Sequence, residues 1–160
     1  MIARLSELLR HTTGTRGADE IPLREELEFL GRYIEIMEIR FRGRLRVQIE
    51  ARPPVLEALV PNLILQPIVE NALEHGASRA ASGEVKISAR RDGDRLVLSV
   101  RDHGPGVNAE RIGIGLSNTR ARLAELYGTS ATLTLTSDPA GGALAEISLP
   151  YHVRDHDGDE

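Results

Sequence analysis

Apolar residues along this chain change their period twice, and the change divides it into helical and extended segments. Within residues 2–11, Ile2, Leu5, Leu8 and Leu9 recur at threes and fours, which predicts a short amphipathic helix. No partner for it is encoded nearby, so it reads as a fragment of a longer helical element. Residues 12–20 form a small, polar, glycine-containing linker. A second helix is expected from near Pro22 to about Phe41, carrying Leu23, Leu27, Leu30, Ile34, Met37 and Phe41 on one face. The period then falls to two. Strands are expected at 45–51, 84–91, 95–101, 132–137 and 144–149, each with one buried and one wetted face. Asp92-Gly93-Asp94 reads as a tight hairpin turn, and residues 138–142 as a second one. Helices at 62–75 and 117–127 are left to cover the buried face. The expected fold class is α/β, a two-layer sandwich of a mixed, mostly antiparallel sheet covered on one face by helices. Pro150 ends the last strand, and 151–160 is an acidic tail expected to be flexible.

Bulk properties narrow the function. At 160 residues the chain suits one domain with a real core. A net charge of −4 and an aromatic content of 3% argue against a nucleic-acid platform, which needs a basic face and stacking rings. The absence of cysteine excludes disulfides and thiolate metal sites. No apolar run approaches the ~18 residues of a membrane span. The expectation is a cytoplasmic chain.

Three polar and glycine-rich islands carry the candidate chemistry: LQPIVENALEHG (65–76), RDHGPG (101–106) and GIGLSNTRARL (113–123). At about 100° per residue, Asn71 and His75 fall at the edge of the apolar arc of the first island, with Gln66, Glu70 and Glu74 on the wetted side. An inward amide oxygen suits Mg²⁺ shared with phosphates; a buried Asn and His bonded to neighbouring backbone is the plain alternative. Pro67 implies a kink or a helix start near it. Asp102 ends a strand. As an acceptor-only group it matches the exocyclic amine of adenine, with Gly104 and Gly106 letting backbone approach a flat base. An ordinary Asp-Gly-Pro turn is the alternative. Gly113, Gly115 and Leu116 open a helix whose N-terminus would attract phosphate, or they are a simple glycine connection capped by Ser117 or Asn118. His103, His152 and His156 read as solvated loop and tail residues.

In order and wording these islands resemble the N, G1 and G2 boxes of the Bergerat-fold ATPases. Together with LREELEFLGRYIEIMEIRFRGRL (23–45), they resemble more narrowly the catalytic domain of LytS-type sensor histidine kinases. The likeness covers about residues 3–150. It implies a Bergerat-type fold and a division into a dimerisation-helix remnant and linker (1–20), an ATP-binding catalytic domain (21–150) and the tail. It implies that Asn71 binds Mg²⁺ and that Asp102 reads adenine. Gly104, Gly106, Gly113, Gly115 and Leu116 would shape the ATP pocket, His75 and Asn118 would line it, and Glu70 would polarise water or the phosphate network. ATP and Mg²⁺ are the implied cofactors. The implied partners are the parent sensor's phosphoacceptor segment and a response regulator, with membrane attachment only through that parent and a monomeric fragment.

Three departures from the family pattern stand out. A P-H-F-x-x-N acceptor segment is not found in these residues, and His11 does not replace it. Only residues 107–112 separate the second and third islands, which makes a short lid. Gly142-Ala143 stands where Gly-Thr is often found. Two other functions fit the same islands: an anti-sigma-factor-type serine kinase, and a nucleotide-gated interaction module without phosphotransfer.

Overall fold

The computed structural model describes residues 20–79, 83–108 and 111–155. The sequence-predicted helix at 2–11, the linker through residue 19, His11 and the end of the tail with His156 lie outside the described residues.

Strand β1 (Glu20–Pro22) leads directly into helix α1 (Leu23–Arg40). Pro22 sits at the N-cap with φ −59°, the value its ring imposes. Leu23, Leu30 and Ile34 bury the apolar stripe, and Arg42 and Gly43, at φ 55° and 78°, stop the helix. Strand β2 (Leu45–Ala51) follows, then a 3₁₀ turn and β3 (Leu59–Pro61), which pairs antiparallel with β1. Helix α2 spans only Gln66–Asn71 and continues as a π-turn, Ala72–Gly76. Strands β4 (Gly83–Asp92) and β5 (Arg95–Asp102), helix α3 (Ile114–Tyr127), and strands β6 (Thr132–Ser137) and β7 (Ala143–Pro150) complete the chain.

The main sheet has the order β2-β4-β5-β7-β6, with β2 parallel to β4 and every other pair antiparallel. Alternate residues Leu96, Leu98 and Val100 of β5 enter the core on the same face as Val85 and Ile87 of β4 and Ile147 and Leu149 of β7. Ile64, Leu65, Ile68, Val69, Leu73, Leu116 and Leu123 press onto that face from the helices. The period-two register continues one step beyond Val100 and places Asp102 on the core face too. No helix among the described residues is long and apolar enough to cross a membrane.

The expected strands are all present, and four sequence expectations are corrected. The helix expected at 62–75 begins at Gln66, because Pro67 fits only a first turn, and its second half widens into the π-turn. Gln66, expected on the wetted side, is buried, since the wheel assumed one regular helix from residue 62. Ile49 is exposed on β2, an edge strand of the sheet. Strands β1 and β3, three residues each, are too short to show a period. The start of the tail is bonded to the body: Tyr151 N donates to Asp94 O at 2.8 Å, Arg91 stacks on the Tyr151 ring, and His152 Nε2 meets Glu20 Oε2 at 2.6 Å.

Candidate nucleotide site

Asp102 is the last residue of β5 and is 0% exposed. A carboxylate ends up there because glycines allow three backbones to close around it. A Cβ on Gly76 would fall on the Asp102 carboxylate, and one on Gly142 would collide with the Asp102 carbonyl. Gly104 lies against Gly76 with no room for a side chain and donates its N–H to Asp102 Oδ1 at 2.9 Å. Gly106 has φ +97°, a conformation that glycine adopts without strain, and packs beside Ser137, whose hydroxyl accepts from Val107 N at 3.1 Å.

The other carboxylate oxygen, Oδ2, accepts from Nη2 of Arg111, a residue only 2% exposed. The same guanidinium donates from Nε to Asn71 Oδ1 at 2.8 Å and from Nη1 to the Gly106 carbonyl at 3.3 Å. Asn71 Nδ2 returns a bond to the Arg111 carbonyl, also 2.8 Å. The Arg111 N–H is held by Asn108, through both its side-chain and its main-chain oxygen. Asn71 and Asp102, chosen from different islands, therefore face one point. One cation occupies that point.

The remaining candidates divide. His75 is half-buried on the π-turn, and its Nδ1 is buried without a hydrogen-bond partner. Gly113 is the N-cap of α3, and its carbonyl accepts from Ser117 N at 3.1 Å. Gly115 faces open space, Leu116 belongs to the core, and Asn118 is exposed on α3. Glu70 does not join Asn71. It is exposed on the other side of α2, accepts from Gln66 Nε2 at 3.2 Å, and lines a groove of ≈ 740 Å³ with Tyr33, Met37, Arg40, Phe41 and Glu74. Burial, reinforced by the charge of Glu70, pushes the Tyr33 hydroxyl up to about 12.

Sequence reasoning passed over Arg111, Gly76, Ser137 and the role of Gly142 in backing Asp102. Arg111 did carry a signal, being the one cation between Gly106 and Gly113.

A mixed sheet with helices on one face, and a carboxylate buried at the end of a central strand under a helix, defines a Bergerat-type α/β sandwich. The chain belongs to the histidine kinase-, DNA gyrase B- and HSP90-like ATPase family, whose model matches residues 58–153; a histidine kinase model matches residues 1–45. The sensor histidine kinase BtsS of Escherichia coli is 33% identical over 85% of this chain and 25% of its own length. The sensor protein LytS of Staphylococcus haemolyticus is 27% identical over 96% of this chain and 29% of its own. The chain thus spans about a quarter of the curated relatives it matches. Among solved structures, the histidine kinase domain of the blue-light activated histidine kinase of Erythrobacter litoralis aligns with TM-score 0.60 and 28% identity, over 81% of this chain and 65% of that one. The resemblance to LytS-type kinases is borne out.

Proposed function

We propose that residues 21–150 form the catalytic domain of a sensor histidine kinase, binding Mg²⁺-ATP between α2 and the end of β5 and delivering the γ-phosphate to a histidine on a separate dimerisation helix. The observation that carries this is the convergence of Asp102 and Asn71 on one buried point lined by Gly76, Gly104 and Gly106. The donor and acceptor chemistry fits. A carboxylate that accepts from an N–H of a planar cation has the geometry to accept from the exocyclic amine of adenine. It rejects a purine carrying a carbonyl there, because two acceptors would face each other.

The same pocket suits Mg²⁺ as a single-ligand site. Among the described residues no group of three or more acidic or histidine side chains is placed to cage a metal. Mg²⁺ held by the Asn71 oxygen would complete its shell with phosphates and water and neutralise charge on the phosphoryl group. The work of the chain is otherwise positional. Asp102 fixes the base, the glycines admit it edge-on, and His75, with its unpartnered Nδ1, lines the wall. The N-terminus of α3 at Gly113 and Gly115 offers N–H groups to the phosphates. Glu70, on the opposite face of α2, is suited to the α1 groove rather than to the base pocket.

The natural partners on this reading are the parent sensor's acceptor segment and, downstream, a response regulator. Incubation with γ-labelled Mg²⁺-ATP tests it. The 160-residue chain alone should acquire no acid-labile phosphohistidine. A separately supplied acceptor segment from the parent should become labelled, slowly because the two are untethered, and Asn71→Ala or Asp102→Ala should suppress that labelling. Labelling of His11 in the chain itself, or of a partner serine, would contradict the assignment.

A further inference from the structure

Arg111 occupies the two side-chain acceptors assigned to the base and the metal, Asp102 Oδ2 and Asn71 Oδ1. Its guanidinium has three nitrogens, and each is committed to a different wall of the pocket: Nε to Asn71 Oδ1, Nη1 to the Gly106 carbonyl and Nη2 to Asp102 Oδ2. A planar group presenting N–H donors to Asp102 reproduces the amine edge of adenine. A positive centre beside Asn71 Oδ1 stands where the metal would stand. With Arg111 2% and Asp102 0% exposed, the pocket has no space for a base while the guanidinium is inside.

Arginine is almost never fully buried without a matched partner. Here it comes from the connection between two glycine islands rather than from a helix or strand. Among the described residues, its carbonyl accepts from the Asn71 amide and its N–H is held by Asn108. The three side-chain contacts are made by one guanidinium, so a competing ligand can replace them as a set.

We infer that Arg111 is an internal competitor for the nucleotide, a side-chain plug that must leave Asp102 and Asn71 before Mg²⁺-nucleotide can bind. The inference rests on the nucleotide reading of this pocket. It differs from the ordinary role of an arginine near phosphates in the sign of its effect, because removing Arg111 strengthens binding instead of weakening it. If the open pocket holds between about one in ten and one in a hundred molecules, the apparent affinity of the unaltered chain is reduced about ten- to a hundredfold. Whatever draws Arg111 out, such as an acidic surface docking beside residues 107–112, would then raise nucleotide affinity without touching the nucleotide.

Calorimetric titration of the full chain with Mg²⁺-ADP, in parallel with Arg111→Ala and Arg111→Gln, tests the plug. Both variants should bind about tenfold tighter or more, and ADP binding by the variants alone would support it equally. In the unaltered chain the Arg111 Nε–H should be visible by NMR and protected from exchange. Saturating Mg²⁺-ADP should remove that protection, and this arm stands even if the variants fold poorly. Equal or weaker ADP binding by folded variants, or a protected Nε–H that persists in the nucleotide-saturated chain, overturns the plug while leaving the nucleotide site intact. No ADP binding by any of the three proteins overturns the nucleotide reading itself, and the plug with it.

Discussion

Asp102 and its glycines show how much of the site depends on single atoms. The carboxylate is reached only because Gly76 and Gly104 pass each other, and it, with no Cβ between them. Gly76→Ala should therefore act as an overpacking change at a buried charge, costing about 1–3 kcal/mol of stability. It should also displace Asp102 enough to abolish nucleotide binding. Denaturant unfolding and nucleotide titration of the same sample check both effects, and unchanged stability of the Gly76→Ala protein would mean that the close approach is not real. Removing the carboxylate is costlier, since Asp102→Ala leaves the Arg111 guanidinium buried without its counter-charge, a loss of about 3–5 kcal/mol in comparable buried pairs. The strand-end place of Asp102 was legible from the alternation of β5, while its part in a nucleotide pocket followed only from the family resemblance. Arg111 was not, because an arginine in a polar loop ordinarily reads as solvated, and only tertiary closure puts it indoors.

Among the elements, α2 carries Asn71 and is positioned by α1 through Glu26. That carboxylate, 2% exposed, accepts from Leu63 N at 2.9 Å and Leu65 N at 3.1 Å, bracing a loop in which Leu63 takes φ 62°. Burial raises the Glu26 pKa above its ordinary value, against the lowering effect of those two N–H groups. A raised folded-state pKa stabilises the fold below the unfolded carboxylate range and loses that contribution as pH rises through the folded value. Stability measured by denaturant from acid to neutral pH should therefore fall, relative to Glu26→Gln, as Glu26 ionises; parallel curves for the two proteins would contradict this. The helix boundaries themselves were only half legible. Pro67 marked the true start of α2, but nothing in ENALEHG announces a π-turn, which local sequence does not favour and tertiary packing against β5 selects. The length of the connection was legible outright. Only residues 107–112 lie between Gly106 and Gly113, a short lid on the proposed reading, so ADP and ATP should bind with similar affinity in calorimetry. A hundredfold preference for ATP would show that the γ-phosphate is gripped.

For the whole molecule, alternation along the strands was enough to give the sheet and its buried face, since each strand is long enough to repeat its pattern. Pairing order, the single parallel contact between β2 and β4, and the small β1–β3 sheet come from crossovers and short segments that carry no periodic signal. The architecture serves the site directly. The central strand β5 is apolar on one face until its final residue, where a carboxylate takes the place of the next core side chain under α2. On the proposed function the chain recognises adenine through one buried acceptor, and selectivity between purines tests that most directly. Calorimetric titration of the full chain with Mg²⁺-ATP and Mg²⁺-GTP should show saturable ATP binding and none measurable with GTP, and Asp102→Ala should lose about 2 kcal/mol or more of ATP binding free energy. Equal affinity for ATP and GTP, or undiminished ATP binding by a folded Asp102→Ala chain, would contradict the account.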